Sequence, residues 1–237
     1  MDLSLFNQCD ISEFVGCGKL DTIALTIPNI DNSIHSLMKL PENIHALGVI
    51  SSRTGAAGQI MAVDEALKMT NSQLISIELP RDTKGWGGHG NYIVIGSRTY
   101  SDVRQATELA LKLCDKFAGE VYISEAGHLE FCYSASAFTA LNKAFNTPVG
   151  NAFGFIAASP AAIGLLLADK SVKSASITAL ELWTPDYKTS KSNEVILPFT
   201  GNASDVKNAV ITARDLGMKL LTSMGSIPKS PSEPYIL

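Results

Sequence analysis

The residues of this chain that are best suited to chemistry lie in one glycine-rich segment, LPRDTKGWGGHGN at positions 79–91. The segment combines four glycines with charged, aromatic and imidazole side chains: Arg81, Asp82, Lys84, Gly85, Trp86, Gly87, Gly88, His89 and Gly90. Such a density of glycine indicates backbone at positive φ, or backbone that closely approaches itself, a ligand or a symmetry mate. One interpretation is a phosphate-binding loop, but that loop needs a Lys-Ser/Thr pair at a helix N-terminus. Because this segment runs into a strand-like pattern, a surface hairpin loop is the simpler interpretation of these residues alone.

Cysteine and histidine provide little further support for catalysis or metal binding. The four cysteines lack C-x-x-C spacing, and Cys114 and Cys132 fall at apolar-patterned positions. Both are therefore predicted to be small core residues rather than nucleophiles. No combination of Cys and His has the spacing of a metal site, so we predict no metal and no catalytic residue.

Composition excludes several classes of protein. A formal charge of −4 and a pI near 5.6 argue against generic nucleic-acid binding, which requires a basic face. The sequence has no apolar run of about eighteen residues, so we expect no membrane span. Its first residues lack the basic region and apolar core of a secretory signal, which predicts a cytoplasmic protein. An apolar content of 46% with 18% charged residues also indicates apolar surface that is buried between subunits.

The elements that must position the glycine-rich segment occur twice. Three blocks recur about 105 residues later in the same order: Leu-Gly-Val-Ile at 47–50 and Phe-Gly-Phe-Ile at 153–156, Asp64/Lys68 and Asp169/Lys173, and Asp-Val-Arg at 102–104 and Asp-Val-Lys at 205–207. These matches indicate an internal duplication. Each half follows the order β-α-β-α-β-β-α, which predicts an α/β domain with helices packed on a sheet. The glycine-rich segment then has a counterpart at 186–193.

The second half contains one feature that affects its predicted sheet. Strands are expected over 178–184 and 194–200, with the loop PDYKTSKSN between them. Pro198 lies inside the second of these strands and cannot donate a ladder hydrogen bond. We therefore expect 194–200 to be an edge strand or to carry a bulge.

Several matched runs resemble tandem-domain, trimer-forming shell proteins of bacterial microcompartments. The matching runs are EFVG at 13–16, LGVI at 47–50, IMAVDEALKMTN at 60–71, IELPRDTKG at 77–85, GHG at 88–90, SDV at 101–103 and 204–206, GEVYISEAGHLEF at 119–131 and LADKSVKSASITALELW at 167–183. The resemblance covers about residues 13 to 236. It is most specific toward the large shell proteins of propanediol- and ethanol-utilisation compartments. The short strand and helix before residue 46 resemble the circularly permuted form of the domain.

The resemblance implies a fold and an assembly. It implies two tandem, circularly permuted BMC domains, each a mainly antiparallel sheet with packed helices, in an α/β or sandwich-like α+β arrangement. We expect them at 19–126 and 127–237, with a short C-terminal tail and an N-terminal extension at 1–18. Three chains would form a homotrimer with pseudo-sixfold symmetry that tiles with other shell proteins in the cytoplasm. The extension is either a flexible tail or a segment that engages encapsulated enzymes.

The same resemblance implies site residues. The loops of both domains would line a pore at the trimer axis: Arg81, Asp82, Thr83, Lys84, Gly85, Trp86, Gly87, Gly88 and His89 in the first, and Asp186, Tyr187, Lys188, Thr189, Ser190 and Lys191 in the second. Crowding at an axis explains the glycines, and inward N–H groups suit small polar solutes. Lys68 and Lys173 would lie on the rim at the contact between tiles, although each also fits a surface i,i+4 ion pair. Neither loop contains cysteine, so we expect no iron–sulfur cluster and no other cofactor.

The predicted function is therefore a non-enzymatic shell protein that passes or gates small polar metabolites. One alternative is a soluble sensor of duplicated domains that uses the loop as a ligand cradle. Another is a nucleotide-binding enzyme that combines the loop at 81–90 with His89, His128 and Glu130. That enzyme would need a phosphate motif between strand and helix, or a catalytic set that both repeats preserve, and the sequence has neither.

Overall fold

A computed structural model describes residues 9–81, 89–189 and 191–237 of the chain. Each half forms a five-stranded antiparallel sheet, with order β1-β2-β3-β5-β4 in the first and β6-β7-β8-β10-β9 in the second. The first sheet comprises β1 (Phe14–Gly18), β2 (Thr22–Ile27), β3 (Ala46–Ser52), β4 (Gln73–Glu78) and β5 (Asn91–Ser97). The second comprises β6 (Val121–Ser124), β7 (Gly127–Ser134), β8 (Ala152–Ser159), β9 (Ile177–Ala179) and β10 (Val195–Gly201). The identical strand order agrees with the duplication read from the sequence.

Within the described residues, three α-helices accompany each sheet. They are α1 (Asn32–Leu37), α2 (Ala57–Lys68) and α3 (Tyr100–Phe117) in the first half, and α4 (Thr139–Phe145), α5 (Ala161–Ser174) and α6 (Ala203–Thr222) in the second. Both long C-terminal helices start in the same way. The side chain of Thr99 accepts a hydrogen bond from the backbone of Asp102, and Asn202 accepts one from Asp205. These N-caps satisfy backbone donors, and the aspartates lie favourably in the first turn.

The apolar core is continuous across the two halves. One buried cluster includes Ile60 and Met61 from α2 together with Leu141 and Phe145 from α4 and Phe155 from β8. Cys114 and Cys132 are buried, as predicted, and burial raises the pKa of both thiols. Among the described residues, no helix is both long enough and apolar enough to span a bilayer.

Two short strands were not predicted, and they change both proposed boundaries. β1 pairs with β2, so part of the segment assigned to an extension at 1–18 belongs to the first sheet. β6 pairs with β7, so a domain boundary after residue 126 would divide a hairpin of the second sheet. These strands have five and four residues and β1 contains two glycines. Their local signal is weak, and pairing with a longer neighbour defines them.

The prediction of an edge strand at 194–200 was wrong. β10 lies between β8 and β9, and Pro198 pairs with Phe155 without a shift of register. The N–H that Pro198 lacks would have faced β9, on the side of β10 away from β8. Leu180 donates its N–H to the Pro198 carbonyl at 2.9 Å, but proline has no N–H to return. β9 ends at Ala179, so the strand predicted over 178–184 is shorter than expected.

Candidate pore segments and the interdomain junction

Backbone pairing joins the two ends of the first predicted pore segment. Arg81 and His89 form an antiparallel bridge, and Gly90 donates its N–H to the carbonyl of Pro80 at 2.9 Å. A Cβ at Gly90 would lie 2.3 Å from the Ser52 carbonyl oxygen, so glycine is required there by close backbone approach. Arg81 is exposed, whereas His89 is buried. The remaining predicted residues of this segment lie outside the described part of the chain: Asp82, Thr83, Lys84, Gly85, Trp86, Gly87 and Gly88.

The second predicted segment forms a tight turn. Thr184 and Tyr187 exchange two backbone hydrogen bonds, at 2.9 and 2.8 Å. The Thr184 hydroxyl donates to Asp186 Oδ1 at 2.6 Å, and this bond lowers the pKa of Asp186. Thr189 is buried and donates to the carbonyl of Thr184 at 2.7 Å. Lys188 and Lys191 adopt positive φ angles of 65° and 66°; Ser190 lies outside the described residues.

The carboxylate of Glu181 organises the side chains of this turn. It accepts hydrogen bonds from Trp183 Nε1 at 2.7 Å, Tyr187 Oη at 2.9 Å and Lys188 Nζ at 2.7 Å. Burial alone would raise the pKa of Glu181, but these donors lower it overall. Lys188 Nζ also lies 5.4 Å from the centre of the Trp183 ring, within the range of a cation–π contact. The charge of Lys188 is thus balanced within its own chain.

The two segments meet at a buried junction between the halves of the chain. His89, which closes the first segment, donates from Nδ1 to Glu194 Oε2 at 3.0 Å. His128 on β7 donates from Nε2 to Glu194 Oε1 at 2.9 Å. All three side chains are buried. Burial would raise the pKa of Glu194, but hydrogen bonds from His128 and His89 outweigh it and lower the pKa to about 2.

A second buried carboxylate, Glu130, completes the junction. Its Oε2 accepts a hydrogen bond from the backbone N–H of Ala57 at the start of α2, at 3.4 Å. Burial raises the pKa of Glu130 and outweighs the opposing effect of His128. His89, Glu130 and Glu194 line a cavity of about 10 Å³ whose other walls are mainly apolar. It adjoins a groove of about 250 Å³ that shares His89 and Trp183.

The matched Asp/Lys pairs of the two repeats have different surroundings. Asp64 is buried and accepts backbone N–H bonds from α4, at 2.9 Å from Phe138 and 3.0 Å from Leu141. Lys68 is 3.1 Å from Asp64 and also bonds to the carbonyl of Ser136, across the junction. Asp169 and Lys173 form an exposed pair at 2.7 Å. Only the second pair is the simple surface ion pair that the spacing allowed.

Sequence reasoning grouped His89 with His128 and Glu130, but missed Glu194. Glu194 lies 105 residues from His89 and 66 from His128, so no local spacing connects them. A weaker signal was present at 128–130, because alternate residues of a strand face the same side of the sheet. The structure also assigns His89 to the junction, with its side chain buried between the two halves.

Comparison with known proteins identifies relatives over nearly the whole chain. The BMC domain model matches residues 46–126 and 152–231. The bacterial microcompartment shell protein PduB of Citrobacter freundii is 46% identical over 229 residues, which are 97% of this chain and 85% of that protein. The crystal structure of EtuB from Clostridium kluyveri superposes with a TM-score of 0.92 at 42% identity, covering 96% of this chain and 100% of EtuB. A crystal structure described as a trimeric bacterial microcompartment shell protein PduB gives 0.88 at 40% identity, covering 95% and 100%.

Proposed function

The chain belongs to the BMC-domain family, and we propose that it is a structural, non-enzymatic protein of a bacterial microcompartment shell. Three copies would form a pseudohexameric disc in the cytoplasm, and discs would tile with one another and with other shell proteins. A relative that is 46% identical carries the name of a shell protein, and a solved relative is described as trimeric. These two facts support the assembly.

The observation that carries the proposal is the difference between α2 and α5. These helices occupy the same position in the two repeats, yet their matched apolar residues differ in exposure. Ile60 of α2 is 0% exposed and its counterpart Leu165 is 54% exposed. The same contrast holds for two further pairs: Met61 and Leu166, and Leu67 and Val172. A row of exposed apolar residues on a helix indicates a surface that another chain covers.

The repeat also indicates which surface covers α5. Within the chain, α2 packs against α4 of the second half. The element of the first half that corresponds to α4 is α1, which has no buried residue and exposes Ile34 and Leu37. If α5 packs on α1 of the next copy as α2 packs on α4, the contact is head-to-tail and repeats around a ring. Six similar domains then close with three chains.

In such a ring the predicted pore segments of all three chains face the axis, where they would admit or gate small polar metabolites. Arg81 and Lys191 are exposed in the isolated chain and available to a solute. Lys188 is paired with Glu181, which reduces the like-charge repulsion expected among the loops. We propose that Lys173 takes part in the contact between neighbouring discs. Lys68, which lies at the junction between the two halves, would take part in the same contact.

The test is sedimentation velocity and electron microscopy of the untagged protein. We expect trimers at low concentration and flat sheets of discs at high concentration. A monomer that never assembles would contradict the proposal.

We also propose that the N-terminal segment interacts with encapsulated enzymes. The test of this interaction needs a deletion shorter than residues 1–18, because β1 begins at Phe14. Removal of residues 1–10 should reduce retention of cargo in purified compartments, and unchanged retention would exclude that role.

A further inference from the structure

We propose that His128, Glu130 and Glu194 form a binding site for a transition-metal dication of the Zn²⁺ class, and that His89 positions Glu194. One ligand atom from each of the three residues lies within 4.8 Å of the other two, and all three residues are buried. The site goes beyond the role of a shell tile, and it differs from the sequence-based expectation that the chain binds no metal.

The donor set selects the class of ion. One imidazole nitrogen and two carboxylate oxygens are ligands that Zn²⁺ accepts at roughly 2.0–2.2 Å. Tetrahedral ligands at those distances are about 3.4 Å apart, so closure requires only a small movement of these side chains. The two carboxylates would balance the charge of the ion where it is poorly solvated. Ca²⁺ takes six to eight oxygen ligands, and Mg²⁺ keeps several waters. A cavity of about 10 Å³ has no room for those additional ligands and waters.

The fold holds the three ligands in place from both halves of the chain. His128 and Glu130 are alternate residues of β7, and pairing with Ser159 and Ala157 of β8 fixes their register. Such residues face the same side of the sheet. Two groups of the first half support the carboxylates, since Ala57 donates its N–H to Glu130 and His89 donates to Glu194. Hydrogen bonds of this kind orient metal ligands and tune their affinity.

A bound ion would therefore connect the two predicted pore segments. His89 closes the first segment, and Glu194 directly follows the second. With Glu194 bound to the ion and to His89, the bases of both segments would be fixed to β7 of the second sheet. The bound ion would thereby stiffen the junction between the halves and hold these loop ends in one arrangement.

The experiment uses the untagged full-length protein after dialysis against EDTA, with Zn²⁺ titrated by isothermal calorimetry. We expect saturation at about one ion per chain. His128→Asn and Glu130→Gln should each weaken binding at least about 10-fold, and His89→Gln by roughly 10- to 100-fold. The matched control is His45→Asn, because His45 is exposed and its replacement should leave the affinity unchanged. Absence of saturable binding, wild-type affinity in the ligand variants, or equal affinity for Ca²⁺ would overturn the proposal.

Substitution of a buried residue can prevent folding, so the wild-type protein supplies a second measurement. Crystals soaked in Zn²⁺ should give an anomalous scattering peak among His128, Glu130 and Glu194. Absence of a peak at that position would overturn the assignment, whichever variants fold.

Discussion

The side chain of Asp64 joins the two halves of the chain. It lies on α2, but it accepts backbone hydrogen bonds from Phe138, Ala140 and Leu141 at the start of α4. Phe138, the N-cap residue just before α4, supplies no side-chain cap. Asp64 therefore satisfies donors that a helix normally satisfies from its own sequence.

Replacement of Asp64 by alanine should lower the free energy of unfolding by about 2 kcal/mol, because buried N–H groups of α4 lose their acceptor. Chemical denaturation of the purified protein measures this change. Asp64→Asn is the control, since its carbonyl oxygen still accepts a hydrogen bond, and it should lose less. Equal losses in both variants would show that the negative charge, and not the acceptor, matters.

The wild type and Asp64→Asn should also differ in how their free energy of unfolding depends on pH. Burial raises the pKa of Asp64 above the ordinary aspartate range, despite the hydrogen bonds and Lys68, which lower it. A carboxyl whose pKa is higher in the folded state adds stability at low pH, and this contribution is lost as pH rises through the folded pKa. The stability of the wild type relative to Asp64→Asn should thus decrease from pH 4 to pH 7.

At the scale of elements, glycines determine how closely strands and side chains pack. Gly48 of β3 and Gly154 of β8 occupy the same position in the two repeats. A Cβ at Gly154 would lie 2.2 Å from an atom of the Phe199 ring, and one at Gly48 would lie 2.1 Å from Thr107 Oγ1. Neither neighbour is exposed. Both glycines are required by space rather than by backbone conformation.

Gly154→Ala should therefore destabilise the chain by about 1–3 kcal/mol, because the buried ring of Phe199 must move. Gly58→Ala is the matched control. Gly58 lies in α2, where an added Cβ would meet its nearest atom at 3.5 Å. Since alanine is the better helix former, this variant should be as stable as the wild type or more stable by up to about 1 kcal/mol. Denaturant midpoints compare the two, and an unaffected Gly154→Ala would contradict the packing argument.

The elements that could be predicted from the sequence are those with long, regular apolar patterns. Apart from β1 and β6, both halves follow the order β-α-β-α-β-β-α that the sequence predicts. β1 and β6 were missed because only pairing defines them. The cluster at Glu194 was missed for a related reason. The topology of the sheets brings Glu194 close to His128 and His89, which are 66 and 105 residues away in the sequence. The roles of the predicted pore and rim residues stay predictions.

At the scale of the whole molecule, the exposed face of α5 should be the contact that forms the trimer. Leu165→Lys places a charge on that face and should reduce association at least about 10-fold, since one buried leucine contributes about 1.5–3 kcal/mol. The chain itself should keep its stability, because Leu165 is exposed in the monomer. Sedimentation velocity measures the trimer fraction. Leu165→Met keeps the apolar surface and should assemble normally; dissociation of both variants, or of neither, would argue against this interface.

The two matched lysines have different surroundings, so their replacement should affect the stability of the chain differently. This difference allows the contact between discs to be tested without destabilising the chain. Lys68 bonds to Asp64, Glu65 and the carbonyl of Ser136, whereas Lys173 bonds to Asp169 at the surface. Lys68→Ala should therefore lower the free energy of unfolding by about 1–2 kcal/mol. Lys173→Ala should change it by less than about 1 kcal/mol, as expected for an exposed ion pair.

Lys173→Ala is for that reason the cleaner test of tiling. If Lys173 lies on the rim, this variant should form normal trimers by sedimentation but no sheets by electron microscopy. Persistent sheets would show that the rim assignment is wrong. Loss of the trimer would instead place Lys173, which lies near the C-terminal end of α5, within the contact between subunits. The two measurements thus distinguish assembly of the disc from assembly of the layer.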